Sequence, residues 1–169
     1  GTNSYAGGTF ISAGTVQAST DVNLGEAGTS VTFSGPGTLA LGNAFSSTRG
    51  IQLNAAGTVN VAAGSATLGG TVSGGAGNSL TKSGDGILSL GGANTFTGVT
   101  RVDGGMLTIT NALGLGANTN DAVVSAGLPR PPPAFATSTS TRPHADCTRS
   151  TMSNTAARSA TSNSKPSES

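Results

Sequence analysis

The feature that most constrains this chain is the way glycine interrupts short runs of alternating apolar residues. From Leu80 to Ile109 the sequence reads LTKSGDGILSLGGANTFTGVTRVDGGMLTI. Leu88 and Leu90, Val102, then Leu107 and Ile109 fall on a two-residue alternation that turns one side of each short strand inward. The glycines between them mark turns. Helices fit poorly, because glycine costs about 1 kcal/mol relative to alanine inside a helix and here recurs every few residues. The stretch reads as strand, turn, strand, turn.

Weaker copies of this text lie upstream. At an offset of 91, Asn3 to Ala18 (NSYAGGTFISAGTVQA) lies on Asn94 to Ile109, with Asn3 on Asn94, Gly7 on Gly98, Thr9 on Thr100 and Gly14 on Gly105. Apolar positions are kept in kind: Tyr5 with Phe96, Ile11 with Val102, Val16 with Leu107. At an offset of 49, Val31 to Gly42 lies on Leu80 to Gly91 with seven of twelve positions identical. Between the copies, Ile51 and Leu53, Val59 and Val61, and Ala66 and Leu68 continue the paired pattern. Both offsets are read as multiples, roughly two and four, of a unit of about 20 to 25 residues, the size of one coil in a stacked repeat. An antiparallel sandwich is the competing architecture, and the long-period self-similarity favours a parallel β-helix. Such a coil encloses a narrow interior, so inward positions want aliphatic side chains stacked like on like at about 4.8 Å. One coil burying perhaps four of them, at about 1.5 to 3 kcal/mol each, does not offset the ordering of its residues, so several must stack.

Composition divides the chain. All 27 glycines precede Leu128, whereas six of seven prolines and five of eight Lys and Arg residues follow Gly127. We expect a β-helical segment over residues 1–127 and a Ser/Thr/Pro/Arg-rich, disordered tail over 128–169. Two readings of the tail stand open: a linker, or codons read out of frame after DAVVSAG. The first segment carries three basic against five acidic residues and the tail five against two. The sequence pI of about 8.2 is therefore an average of unlike parts, and it implies no basic face for nucleic acid. Cys147 is the only cysteine, so no intrachain disulfide forms. No apolar run reaches the length of a spanning helix. The opening GTNSYAGG has no secretory signal, and we read the chain as starting inside a longer protein.

Residues that could do chemistry are few. Asp85 and Asp103 are the nearest thing to the carboxylate pair of a glycosidase, but each lies beside turn glycines and Asp85 aligns with Pro36. The stretch from Gly74 to Ser79 has serine where a calcium-binding repeat needs aspartate. Lys82 and Ser83 lack the glycine spacing of a phosphate loop. His144 and Cys147 in the tail are too few to hold a metal. Asn94 and Phe96 could contact sugar; a structural role is expected instead, with the asparagine in a turn and the aromatic over the coil edge. No catalytic, metal or cofactor-binding residue is assigned, and no cofactor is expected.

Leu80, Lys82, Gly84, Gly86, Leu88, Leu90, Asn94, Phe96, Gly98, Thr100, Val102, Gly105, Leu107 and Ile109 together form a pattern. It resembles the passenger-associated transport repeat (autotransporter-associated β-strand repeat) of bacterial autotransporters. Residues 3–18 resemble the second half of a preceding copy, and residues 31–42 a degenerate first half with Phe33 in place of the lysine. The resemblance implies a right-handed parallel β-helix passenger at the Gram-negative cell surface or outer membrane, or secreted. It also implies a C-terminal translocator β-barrel as partner, for which this chain has no series of amphipathic strands of about ten residues. The expected function is non-enzymatic: support of secretion, folding and surface presentation or adhesion, with a host surface or another cell-surface molecule as partner. The alternatives are a stalk or fragment of a β-helical enzyme acting on polysaccharides or esters, and a truncated or frameshifted product.

Overall fold

The computed structural model describes residues 1–117 and 121–125. These lie within a compact unit, Gly1–Gly127. The expectations for residues 128–169, including His144 and Cys147, fall outside the described residues.

Short strands separated by turns are what the period-two pattern requires, and among the described residues there are fourteen, with no α-helix. They form three parallel ladders. Face A stacks β1 (Thr9–Ile11), β3 (Val31–Phe33), β6 (Ile51–Leu53) and β9 (Val72–Gly74). Face B stacks β2 (Gly14–Ala18), β4 (Gly37–Leu41), β7 (Gly57–Val61), β10 (Leu80–Ser83), β12 (Thr100–Val102) and β14 (Ala122–Val124). Face C stacks β5 (Phe45–Ser47), β8 (Ser65–Leu68), β11 (Ile87–Leu90) and β13 (Met106–Ile109). The chain visits the faces in turn, so it winds as a parallel β-solenoid of about five turns. Every ladder is parallel, which rules out the antiparallel sandwich.

Alternation decides the core. On face B the inward column runs Leu39, Val59, Lys82, Val102, and on face A it runs Ile11, Phe33, Leu53. Ile11, Phe33, Leu39, Leu53 and Val59 form one continuous apolar core with Leu68, Leu88 and Leu90 of face C. Phe33 fits this narrow interior because its ring lies against Gly57, where a Cβ would come within 2.7 Å of it.

Two departures from regular winding matter. The first coil has no face C strand; residues 19–30 leave the ladder there and carry a short 3-10 helix, η1 (Asp21–Leu24). The second corrects the expectation that the offsets of 49 and 91 are whole numbers of coils. Val31 stacks on Ile51 and Ile51 on Val72, so two coils carry Val31 to Val72, eight residues short of its sequence counterpart Leu80. Val31 lies on face A and Leu80 on face B, and likewise Ile11 is on face A while Val102 is on face B. The repeats are displaced by one face. What the sequence repeats is a strand, a corner and a strand, and successive copies land on different sides of the solenoid.

Candidate functional site

The corner between β10 and β11 is where the repeat motif is fullest. Leu80 and Lys82 point inward from β10, Leu88 and Leu90 from β11, and Gly84, Asp85 and Gly86 make the bend. Gly84 takes φ +76, and a Cβ there would collide with the carbonyl of Val61 in the preceding coil. Asp85 is exposed at the bend.

Lys82 is the unexpected member. It is 1% exposed, in a column otherwise filled by Leu39, Val59 and Val102. Its stem takes an aliphatic place in the core, and its ammonium donates to the carbonyls of Ser83 at 2.8 Å, Gly84 at 2.7 Å and Gly104 at 3.1 Å. An ammonium has three N–H donors, so none is left over. The first two acceptors belong to its own corner and the third to the corner above, so one charge holds two glycine-rich bends together. Burial lowers the pKa of Lys82 below its usual 10.5, and the nearby Asp85 charge opposes that shift.

Asn94 is also buried, with 2% exposure. Its Oδ1 accepts the N–H of Val72 at 2.8 Å and its Nδ2 donates to the Gly114 carbonyl at 2.6 Å, so it joins the coil before it to the coil after it. The expected left-handed turn conformation is not how it acts, since the one non-glycine residue with positive φ among the described residues is Ala44. Phe96 lies in the core and not over a coil edge. Thr95 and Thr97 donate backbone bonds to Val72 and Gly74, which continues the face A ladder through this segment. Both Asn94 and Phe96 are thus out of reach of a sugar.

The remaining motif residues follow the winding. Gly98 passes so close to Asn78 that a Cβ would meet its carbonyl, and Gly105 has φ +61 over Gly84 and Gly86. Thr100 is buried with its hydroxyl unpartnered among the described residues. Val102 is buried, Leu107 half-buried and Ile109 exposed, because β13 is the last strand of face C. Beyond it opens an apolar cavity of about 340 Å³, lined by Val102, Met106, Leu107, Ile109 and Val124 among others, with no titratable side chain in its wall.

The carboxylates do not converge. Asp103 pairs with Arg101 at 3.2 Å on the exposed side of the corner. Among the described residues no group of three or more His, Cys, Asp or Glu comes together, and no helix is long and apolar enough to cross a membrane.

Sequence reasoning passed over Arg49. It is 4% exposed and organises the 19–30 excursion. Its guanidinium donates to Asp21 Oδ1 at 2.7 Å and to the carbonyls of Asp21, Leu24, Gly25 and Glu26. Burial alone would raise the Asp21 pKa, but hydrogen bonds from Arg49 and Ser47, together with the Arg49 charge, outweigh it and hold the carboxyl below its usual 3.8. The only signal in the sequence was a charged excursion, Asp21 and Glu26, in an otherwise charge-poor segment.

The fold and this corner define a class: a parallel β-solenoid whose repeated element is a strand, a corner and a strand, stapled by Lys82 in the fullest copy. The passenger-associated-transport-repeat family matches residues 1–18 and 80–109. Comparison with curated proteins and with solved structures finds no match. The longer matched segment spans β10 to β13, and the shorter one includes β1 and β2. The repeat family and the solenoid fit an autotransporter passenger segment. At that coarse level they imply a Gram-negative surface or secreted location and a translocator partner.

Proposed function

We propose that this chain is a non-enzymatic segment of an autotransporter passenger, which supports folding on secretion and presents a regular surface outside the cell. The observation that carries this reading is the repeat-family match over residues 80–109, which falls on four consecutive strands of a parallel solenoid. The fourteen motif residues from Leu80 to Ile109 then serve packing and coil closure. Residues 1–127 are the passenger segment, and 128–169 a separate tail. Adhesion is supported by the outward columns. Thr15, Thr38, Thr58 and Thr81 line up on face B, and Ser46, Thr67, Ser89 and Thr108 on face C. Such flat hydroxyl ladders can meet a host or cell-surface molecule through many weak polar contacts.

The full chain placed between a signal peptide and a translocator barrel in a Gram-negative host tests this. Surface display as a protease-resistant segment is the expected outcome. Retention in the periplasm, or display as a freely digested chain, would contradict it.

A further inference from the structure

The two matched segments lie on different faces, yet their asparagines make the same bonds. The Asn94 N–H donates to the Leu113 carbonyl at 3.2 Å, its Nδ2 to Gly114 at 2.6 Å, and the Phe96 carbonyl accepts from Ala117 at 3.1 Å. The Asn3 N–H donates to the Val22 carbonyl at 2.9 Å, its Nδ2 to Asn23 at 2.7 Å, and the Tyr5 carbonyl accepts from Glu26 at 3.0 Å. The partners are displaced by 19, 20 and 21 residues in both cases. Asn94 lies in the face A ladder, bonded to Val72 of β9. Asn3 lies against η1, the helix that stands in for the absent face C strand. Both acceptor segments are short turns, one closed by the Gly114 N–H on the Asn111 carbonyl at 2.9 Å and the other by the Asn23 N–H on the Thr20 carbonyl at 3.1 Å, so the same pair of elements recurs on two different faces and the face does not dictate the arrangement.

We propose that the Asn-x-aromatic element of the repeat is a clamp that grips the coil following it in sequence and sets that coil's register, whichever face it falls on. The physical reason is that glycine-rich coils hold few side chains able to fix a register, and a parallel ladder slipped by one residue turns its core outward. An amide side chain adds a bond at a second, fixed offset beside the backbone bond, and only one register satisfies both. Lys82 acts in the same direction, since its third acceptor, Gly104, also lies ahead of it. The clamp rests on hydrogen-bond geometry and not on the export reading, so the two fail separately.

Native-state hydrogen exchange on the full chain tests it with Asn94→Ala and Asn3→Ala. The first should speed exchange at Ala117 and Thr100 by about tenfold, the scale of one lost buried hydrogen bond, and leave Thr38 and Ile51 unchanged. The second should do the same at Glu26 and leave β10 to β13 unchanged. Asn3 is exposed, so its variant remains readable if Asn94→Ala does not fold. Loss of protection confined to Val72 in Asn94→Ala, or an unaltered Glu26 amide in Asn3→Ala, would overturn the proposal.

Discussion

A buried lysine in an aliphatic column looks like a fault until its acceptors are counted. The carboxylates at the corners of Gly84–Gly86 and Gly104–Gly105, Asp85 and Asp103, both face solvent. The Lys82 ammonium ties the two corners from inside, at the expense of burying a charge. The sign of its pH dependence follows. Because the folded-state pKa lies below 10.5, the folded chain releases this proton before the unfolded chain does. Between the lowered value and 10.5 the unfolded state binds more protons, so stability rises with pH across that window, and below the window the penalty is present in full. Urea midpoints followed from neutral pH to 10.5 should rise in the parent chain relative to Lys82→Met, which has no proton to release. A parent chain that weakens relative to Lys82→Met over the same range would contradict the assignment.

At the scale of elements, most of what was legible came from period two. Ile51, Leu53, Val59, Val61, Ala66 and Leu68 were placed inward by alternation alone, and all are buried. The face each strand occupies was not legible, because the motif encodes a corner, and a corner fits any two adjacent faces. Asn94 misled for a related reason: asparagine beside glycine suggests a turn conformation, whereas its partners are backbone groups of other coils, 20 and 22 residues away. Arg49 left still less trace, since five of its seven acceptors are main-chain carbonyls that any sequence would supply. Its removal nonetheless has a calculable effect. Arg49→Leu leaves those carbonyls and the Asp21 carboxylate without their donor, which should cost about 3 kcal/mol and open residues 19–30 to limited proteolysis while β6 to β11 stay protected. The Asp21 contribution is fully present above pH 3.8 and is lost as pH falls through its lowered folded value. Acid sensitivity from this source should therefore vanish in Arg49→Leu.

The solenoid of the described residues is a stack in which each coil touches chiefly its neighbours, and a defect in one coil is felt mainly next door. Three of its buried polar residues accordingly work between coils: Arg49 reaches back to the excursion, Lys82 reaches forward, and Asn94 reaches both ways. The stacking also accounts for a repeat recognisable in two places without strict periodicity, since any coil length that closes the three faces suffices. The central claim is parallel winding with the repeats displaced by one face. Proton–proton contacts between backbone groups of the labelled full chain in solution test it most directly. Thr81 should show contacts to Thr58 on one side and Arg101 on the other, and Val31 to Ile51. Close Hα–Hα pairs characteristic of antiparallel strands, or contacts placing Leu80 and Val31 in one ladder, would contradict it.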